Sequence, residues 1–189
     1  MWDVDLTGTV QRDLIITPPK TGVITVDNLE VAQFIYLLVS NAKLREVIDT
    51  ITSKVVLILG NFSAARKPIL DALRDALRAK GHVPVLFDFA GPENRDLTET
   101  VRILAHLARM VIADLSTPRS IPHELQAIVP EIQLPVAPII VESERPYAMF
   151  NDLAKYPWLL KLRTYVDLAD VVNNVLPDIL LEVESSKSK

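Results

Sequence analysis

Val111-Ile112-Ala113-Asp114-Leu115-Ser116-Thr117-Pro118-Arg119-Ser120-Ile121-Pro122-His123-Glu124-Leu125 decides how the rest of the chain is read. An apolar run breaks off into small polar residues and a short loop follows. Pro122 then marks the start of a helix, because proline fits a helix's first turn and not its interior. A buried strand that runs into a loop and a helix is the repeating unit of an open α/β sheet. In such sheets ligands bind in the crevice beyond the carboxyl ends of the strands. Glu124 falls in that first helical turn, so the groups that converge on it matter most.

The same unit recurs on both sides. Val55-Val56-Leu57-Ile58-Leu59 is continuously apolar and ends at Gly60, as expected of a strand covered on both faces. Pro68 opens a helix whose inner face holds Ile69, Leu70, Leu73, Ala76 and Leu77, and Gly81 stops it. His82 to Phe89 is the second strand. Asp96-Leu97-Thr98-Glu99 has capping-box spacing and opens a helix with Val101, Leu104, Ala105 and Ala108 inward. Arg109 to Leu115 is the third strand, Ile121 to Val129 a short helix, and Val136 to Val141 the fourth strand. A short helical piece near Tyr147 to Leu153 precedes a fifth strand around Lys161 to Tyr165. The last helix begins near Asp167 and is expected to be disturbed at Pro177. Strands separated by helices predict a doubly wound parallel sheet, and the flavodoxin-like order 2-1-3-4-5 is preferred.

Ahead of this domain, residues 1–27 lack a pattern, and Pro18-Pro19 breaks any regular element. Asp5-Leu6-Thr7-Gly8-Thr9 is a single unit that would fit the last rung of a pentapeptide repeat. Asn28 to Asn41 carries Val31, Phe34, Ile35, Leu38 and Val39 at helical spacing, and a second short helix holds Leu44, Val47, Ile48 and Ile51. These helices either cover the main domain or meet a partner. The expected organisation is an N-terminal helical appendage over residues 1–53, an α/β domain over 54–183 and a disordered tail over 184–189.

Composition removes several function classes. A net charge of -4 argues against a general nucleic-acid binder, which presents a basic face. With no cysteine, disulfides and thiolate zinc sites are excluded, and His82, His106 and His123 are too scattered for a histidine metal site. The apolar segments are too short for a membrane span. Met1-Trp2-Asp3-Val4-Asp5 lacks the basic start of a signal peptide, so a cytoplasmic protein is expected.

The candidate site residues follow from position. Gly60-Asn61-Phe62-Ser63-Ala64-Ala65-Arg66-Lys67 sits where a phosphate loop would, without the second glycine before lysine. Arg66 and Lys67 lie at the positive end of a helix, where the macrodipole disfavours cations. An anion such as a pyrophosphate would ease that conflict, and a solvated basic loop is the equal alternative. Asp88 ends strand two, where an acid meets ribose hydroxyls in dinucleotide folds or simply starts a turn. Asp114 interrupts an apolar strand and needs hydrogen bonds there, so it anchors the Ser116–Ser120 loop or faces a ligand. Glu124 has no complete capping explanation: Ser120 as cap pairs with position 123, and Ile121 has no hydroxyl. It is either a favourable charge at a helix start or a functional carboxylate.

On Lys54-Val55-Val56-Leu57-Ile58-Leu59-Gly60, Pro84-Val85-Leu86-Phe87-Asp88-Phe89, Arg95-Asp96-Leu97-Thr98-Glu99-Thr100-Val101, Val111-Ile112-Ala113-Asp114-Leu115 and Ser120-Ile121-Pro122-His123-Glu124-Leu125, the chain resembles TIR-like domains. These are domains of the Toll/interleukin-1 receptor type, here of the bacterial subgroup that follows pentapeptide repeats. The pattern is also similar to that of nucleoside deoxyribosyltransferase-like proteins. The resemblance implies a catalytic glutamate at Glu124 and cleavage of the nicotinamide–ribose bond of NAD, as substrate rather than cofactor, or a related cyclisation or base exchange, in bacterial defence. Beside the resemblance, the position of the residues gives the expected substrate contacts as Gly60, Asn61, Phe62, Ser63, Arg66, Lys67, Asp88, Phe89, Asp114, Ser116 and Ser120. Of these, Arg66 or Lys67 is expected to meet phosphate, Phe62 or Phe89 to stack on a base, and Asp88 or Asp114 to orient a hydroxyl. The resemblance also implies a homo-oligomer built head to tail through residues 90–95; the N-terminal helices, read from their own apolar spacing, are the other candidate. Where the family carries Ser-Tyr-Ser after its first strand, this chain has Gly60-Asn61-Phe62, and the family's Trp-Cys pair is missing. An NAD glycohydrolase, a non-catalytic assembly module, and a deoxyribosyltransferase-like enzyme or nucleotide sensor are the resulting expectations.

Overall fold

The computed structural model describes residues 8, 12, 14–17, 25–88, 96–117 and 121–187. The chain divides into two units, residues 1–49 and 50–189. In the first, β1 (Leu14–Ile15) pairs antiparallel with β2 (Thr25–Val26), Leu14 opposite Val26. No regular element was expected there; strands of two residues are too short to carry a period. Helix α1 (Leu29–Ser40) follows, capped by Asn28, whose side chain accepts the Val31 N–H at 2.9 Å. Helix α2 (Ala42–Lys54) begins where Asn41 accepts the N–H groups of Lys43 and Leu44, and the division between the units falls within it.

The second unit is the expected sheet. β3 (Val55–Gly60), β4 (Val83–Asp88), β5 (Met110–Asp114), β6 (Val136–Val141) and β7 (Arg163–Tyr165) run parallel in the order β4-β3-β5-β6-β7. Numbered within the domain this is 2-1-3-4-5, the flavodoxin-like order. The helices are α3 (Lys67–Ala79), α4 (Asp96–Leu107), α5 (Ile121–Ile128), a short α6 (Leu168–Asp170) and α7 (Leu176–Lys187).

Alternation along the strands sorts the core into two layers. Val55, Leu57, Leu59, Val111 and Ala113 pack with Val101 and Ala105 of α4 and Ile121, Leu125 and Ile128 of α5. Val56, Ile58, Met110 and Ile112 pack on the other face with Leu70, Leu73 and Leu77 of α3 and Leu176, Ile179 and Val183 of α7. Both faces are covered, which is why β3 and β5 read as unbroken apolar runs rather than alternating ones.

As expected, the helical stretch that begins at Leu168 is disturbed next to Pro177, which lies in the first turn of α7. A wide turn over Val171–Val175 precedes it, in which the Leu176 N–H reaches back to the Val171 carbonyl. Changing the hydrogen-bond register just before a proline accommodates a residue that has no N–H to give. The expected tail is helical as far as Lys187, continuing past the buried Val183. The piece near Tyr147 is a 3-10 helix, Ala148–Leu153. Among the described residues no helix is long and apolar enough to cross a membrane.

Gly60 ends β3 where it meets α3: a Cβ there would lie 2.6 Å from Leu70 Cδ2 and 2.9 Å from Cδ1. Leu70 is fully buried and has little room to yield. Gly60→Ala is therefore expected to destabilise the domain by about 1–3 kcal/mol, the usual range for overpacking. Urea unfolding monitored by circular dichroism checks this, and an unchanged midpoint would contradict it.

Candidate functional site

Asp114 closes β5 and shares the face of Met110 and Ile112, so its side chain points toward α3 and α7 rather than α4 and α5. It is completely buried. Oδ1 accepts the Ser116 N–H at 3.0 Å and the Ser116 hydroxyl at 2.6 Å. Oδ2 accepts from Arg66 Nη2 at 2.7 Å, and the Tyr165 hydroxyl lies 3.2 Å from each carboxylate oxygen. Ser116 Oγ accepts the Val141 N–H at 2.9 Å, and the Arg66 guanidinium stands 5.6 Å above the centre of the Tyr165 ring. Burial pushes the Asp114 carboxyl up, while the Ser116 hydroxyl and the Arg66 charge pull it back. The bonds to Ser116 are those that the anchor alternative for Asp114 calls for.

Three expected substrate contacts are thereby engaged with one another: Arg66, Asp114 and Ser116. The anion that relieves Arg66 at the start of α3 is the chain's own Asp114. Lys67 pairs with Asp71 at 2.7 Å, one helical turn on. Asn61 is buried, accepts the Ser63 N–H at 2.9 Å through Oδ1 and donates to the Thr117 carbonyl at 3.1 Å. Phe62 is half-buried against the α3/α7 layer. Thr117 has φ of 45°, and its N–H donates to Glu144 Oε2 at 2.6 Å. The side chain of Asp88, and Phe89, Ser120 and residues 90–95, lie outside the described residues.

Glu124 is in a different situation. It sits in the first turn of α5, on the face that carries Ile121, Leu125 and Ile128 into the α4/α5 layer. The two acids therefore belong to opposite faces of the sheet. Glu124 is only 3% exposed, and its Oε2 is buried without a hydrogen-bond partner. Burial pushes its carboxyl up, and the charges of His123 and Arg102 offset this only in part. Tyr147, packed against the same layer, also has a hydroxyl without a partner and is pushed up to about 12 by burial. A buried polar group left unpaired costs about 1–3 kcal/mol, so such groups call for an explanation.

Tyr165 and Glu144 were not anticipated. Tyr165 had a signal: it ends the fifth strand, and all parallel strands deliver their last residues to one edge. Glu144 had none, since it reaches Thr117 from a loop far along the chain. Among the described residues no group of acidic or histidine side chains is arranged to hold a metal ion.

Asp114→Asn keeps the shape but leaves the Arg66 guanidinium, 14% exposed, facing a neutral amide. Breaking a buried pair from one side costs about 3–5 kcal/mol. A loss toward the lower end of that range is expected in thermal and urea unfolding, because Arg66 keeps some contact with water. A variant as stable as the wild type would show that the network does not hold this edge together.

No family model and no curated protein matches the chain by sequence. Among solved structures the chain is similar to an archaeal protein described as "Structure of a flavodoxin from the domain Archaea". The two share 14% identity over 68% of this chain and 99% of that one, with a TM-score of 0.44.

Proposed function

We propose that the protein cleaves the N-ribosyl bond of NAD or a closely related nucleotide, with Glu124 as the catalytic carboxylate. The observation that carries this reading is the buried, partnerless Oε2 of Glu124, in contrast to the satisfied carboxylate of Asp114. A carboxylate kept out of water and unpaired is suited to meet a ligand that brings its own donors or positive charge. Nicotinamide in NAD is already cationic. When the bond from ribose C1′ breaks, its electron pair stays on the ring nitrogen, which leaves neutral, so no general acid is required. Positive charge then develops on the ribosyl group, as in glycoside cleavage, and a fixed anion stabilises it. Water adds to C1′ and gives up a proton. The resemblance to TIR-like domains supports the same residue in the same role.

Incubation of concentrated protein with NAD, followed by chromatography for free nicotinamide, tests the reading. Glu124→Gln is expected to lose about 10²–10³-fold in rate, the usual effect of removing a preorganised electrostatic group. The anion is the active form and its pKa is raised, so kcat/KM should fall with decreasing pH along a limb above the ordinary glutamate range. Stability should move oppositely. A raised folded-state pKa makes wild-type stability greatest in acid and lower as pH rises through that value. At neutral pH Glu124→Gln should then be more stable by on the order of 1 kcal/mol, or about 2–4 °C in Tm. Equal nicotinamide release by wild type and variant would end the proposal.

A second reading, a self-assembling interaction module, has support from α1. Val31, Phe34, Tyr36 and Leu37 are each about half exposed there. Apolar side chains grouped on one short helix are typical of a contact surface. If α1 mediates assembly, Phe34→Ser with Leu37→Ser should shift the chain from oligomer to monomer in sedimentation. A mass unaffected by these substitutions would rule α1 out.

A further inference from the structure

We infer that Glu144 and Asn61 are positioning residues that hold Thr117 in a left-handed backbone conformation and so aim the chain that enters α5 bearing Glu124. The inference rests on the reading of Glu124 as the reacting carboxylate. Among the described residues Thr117 alone combines a side chain with a positive φ, 45°. Threonine is branched at Cβ, and such residues seldom adopt this conformation unless their surroundings impose it.

The surroundings do so from both ends of the residue. The Thr117 N–H donates to Glu144 Oε2 at 2.6 Å, and its carbonyl accepts from Asn61 Nδ2 at 3.1 Å. Asn61 is itself fixed, because its Oδ1 accepts the Ser63 N–H, which orients the amide. Glu144 sits in a tight turn after β6, its own N–H donating to the Val141 carbonyl at 3.0 Å. The Thr117 residue is exposed. Glycine would take the same φ without penalty.

The position explains why the direction matters. Just upstream, Ser116 is immobilised by Asp114 and Val141. Just downstream, α5 begins at Ile121, with Glu124 in its first turn. Thr117 is thus the last described residue between a fixed strand end and the helix that bears Glu124, and a change of sign in its φ would change the direction in which the chain leaves β5. Misplacing a reacting group by an ångström can cost about 10²-fold in rate.

The test compares Glu144→Ala and Glu144→Gln, each with Thr117 and with Thr117→Gly. Glu144→Gln keeps an oxygen that accepts the Thr117 N–H and should resemble the wild type. Glu144→Ala should lower kcat for nicotinamide release by about tenfold or more with KM within about twofold. That loss should shrink in the Thr117→Gly background, where positive φ needs no restraint. Amide hydrogen exchange at Thr117 supplies a readout independent of turnover: faster in Glu144→Ala, unchanged in Glu144→Gln. Unchanged protection in Glu144→Ala, or a loss of kcat that is the same with threonine and glycine at 117, would overturn the inference. A wild type that releases no nicotinamide would defeat the assignment of Glu124, while exchange would still judge the clamp.

Discussion

The carboxylate of Asp114 is the constraint on which the carboxyl edge of the sheet depends. An isolated anion in the interior carries a desolvation cost of several kcal/mol, so it persists only with partners on nearly every side. Here those partners come from four different pieces of chain: Arg66 at the start of α3, Ser116 just after β5, Val141 through the Ser116 hydroxyl, and Tyr165 at the end of β7. Because the charge demands all of them together, it fixes the relative heights at which β5, β6 and β7 end. Loops that leave such an edge start from known positions, and α5 is one of the elements they lead to.

Two acids ten residues apart, one at the end of β5 and one in the first turn of α5, have been treated oppositely. Asp114 is wholly buried and completely used; Glu124 is nearly as buried and has an oxygen with no partner. The difference cannot be a matter of supply. Arg102 is close enough to pull the Glu124 carboxyl toward its charged form, yet it pairs with Glu131 at 2.9 Å instead. If both acids were structural, the second would be the more cheaply replaced by leucine or glutamine. The contrast is what separates the anchor of the edge from its candidate reagent.

How far this could be read in advance depended on the range of the interaction. Strand order and core layers were legible because Val55–Leu59 and Val111–Ala113 are apolar without interruption, which only a sheet covered on both faces rewards. Asp114 could be singled out as an acid that needed partners, but Tyr165, 51 residues away, could not be named as one of them. Arg66 and Lys67 could be picked out by their conflict with the start of α3, but their pairing with Asp114 and Asp71 could not be named in advance. Pro177 was legible as an obstacle but not as one already accommodated, since the wide turn over Val171–Val175 has no sequence signature.

On the proposed reading, the unpaired state of Glu124 has a consequence for how a substrate would be received. Without ligand, burial disfavours the charged form of the carboxyl. A cationic nicotinamide riboside group would supply a charge that favours the anion. Binding and ionisation are then coupled, because a cation beside the carboxyl stabilises the form that would in turn stabilise the ribosyl cation. A neutral nucleoside lacks that charge and would leave the desolvation of the anion uncompensated. Discrimination between NAD and uncharged nucleosides would then arise from the desolvation of one side chain, with no dedicated contact to the base.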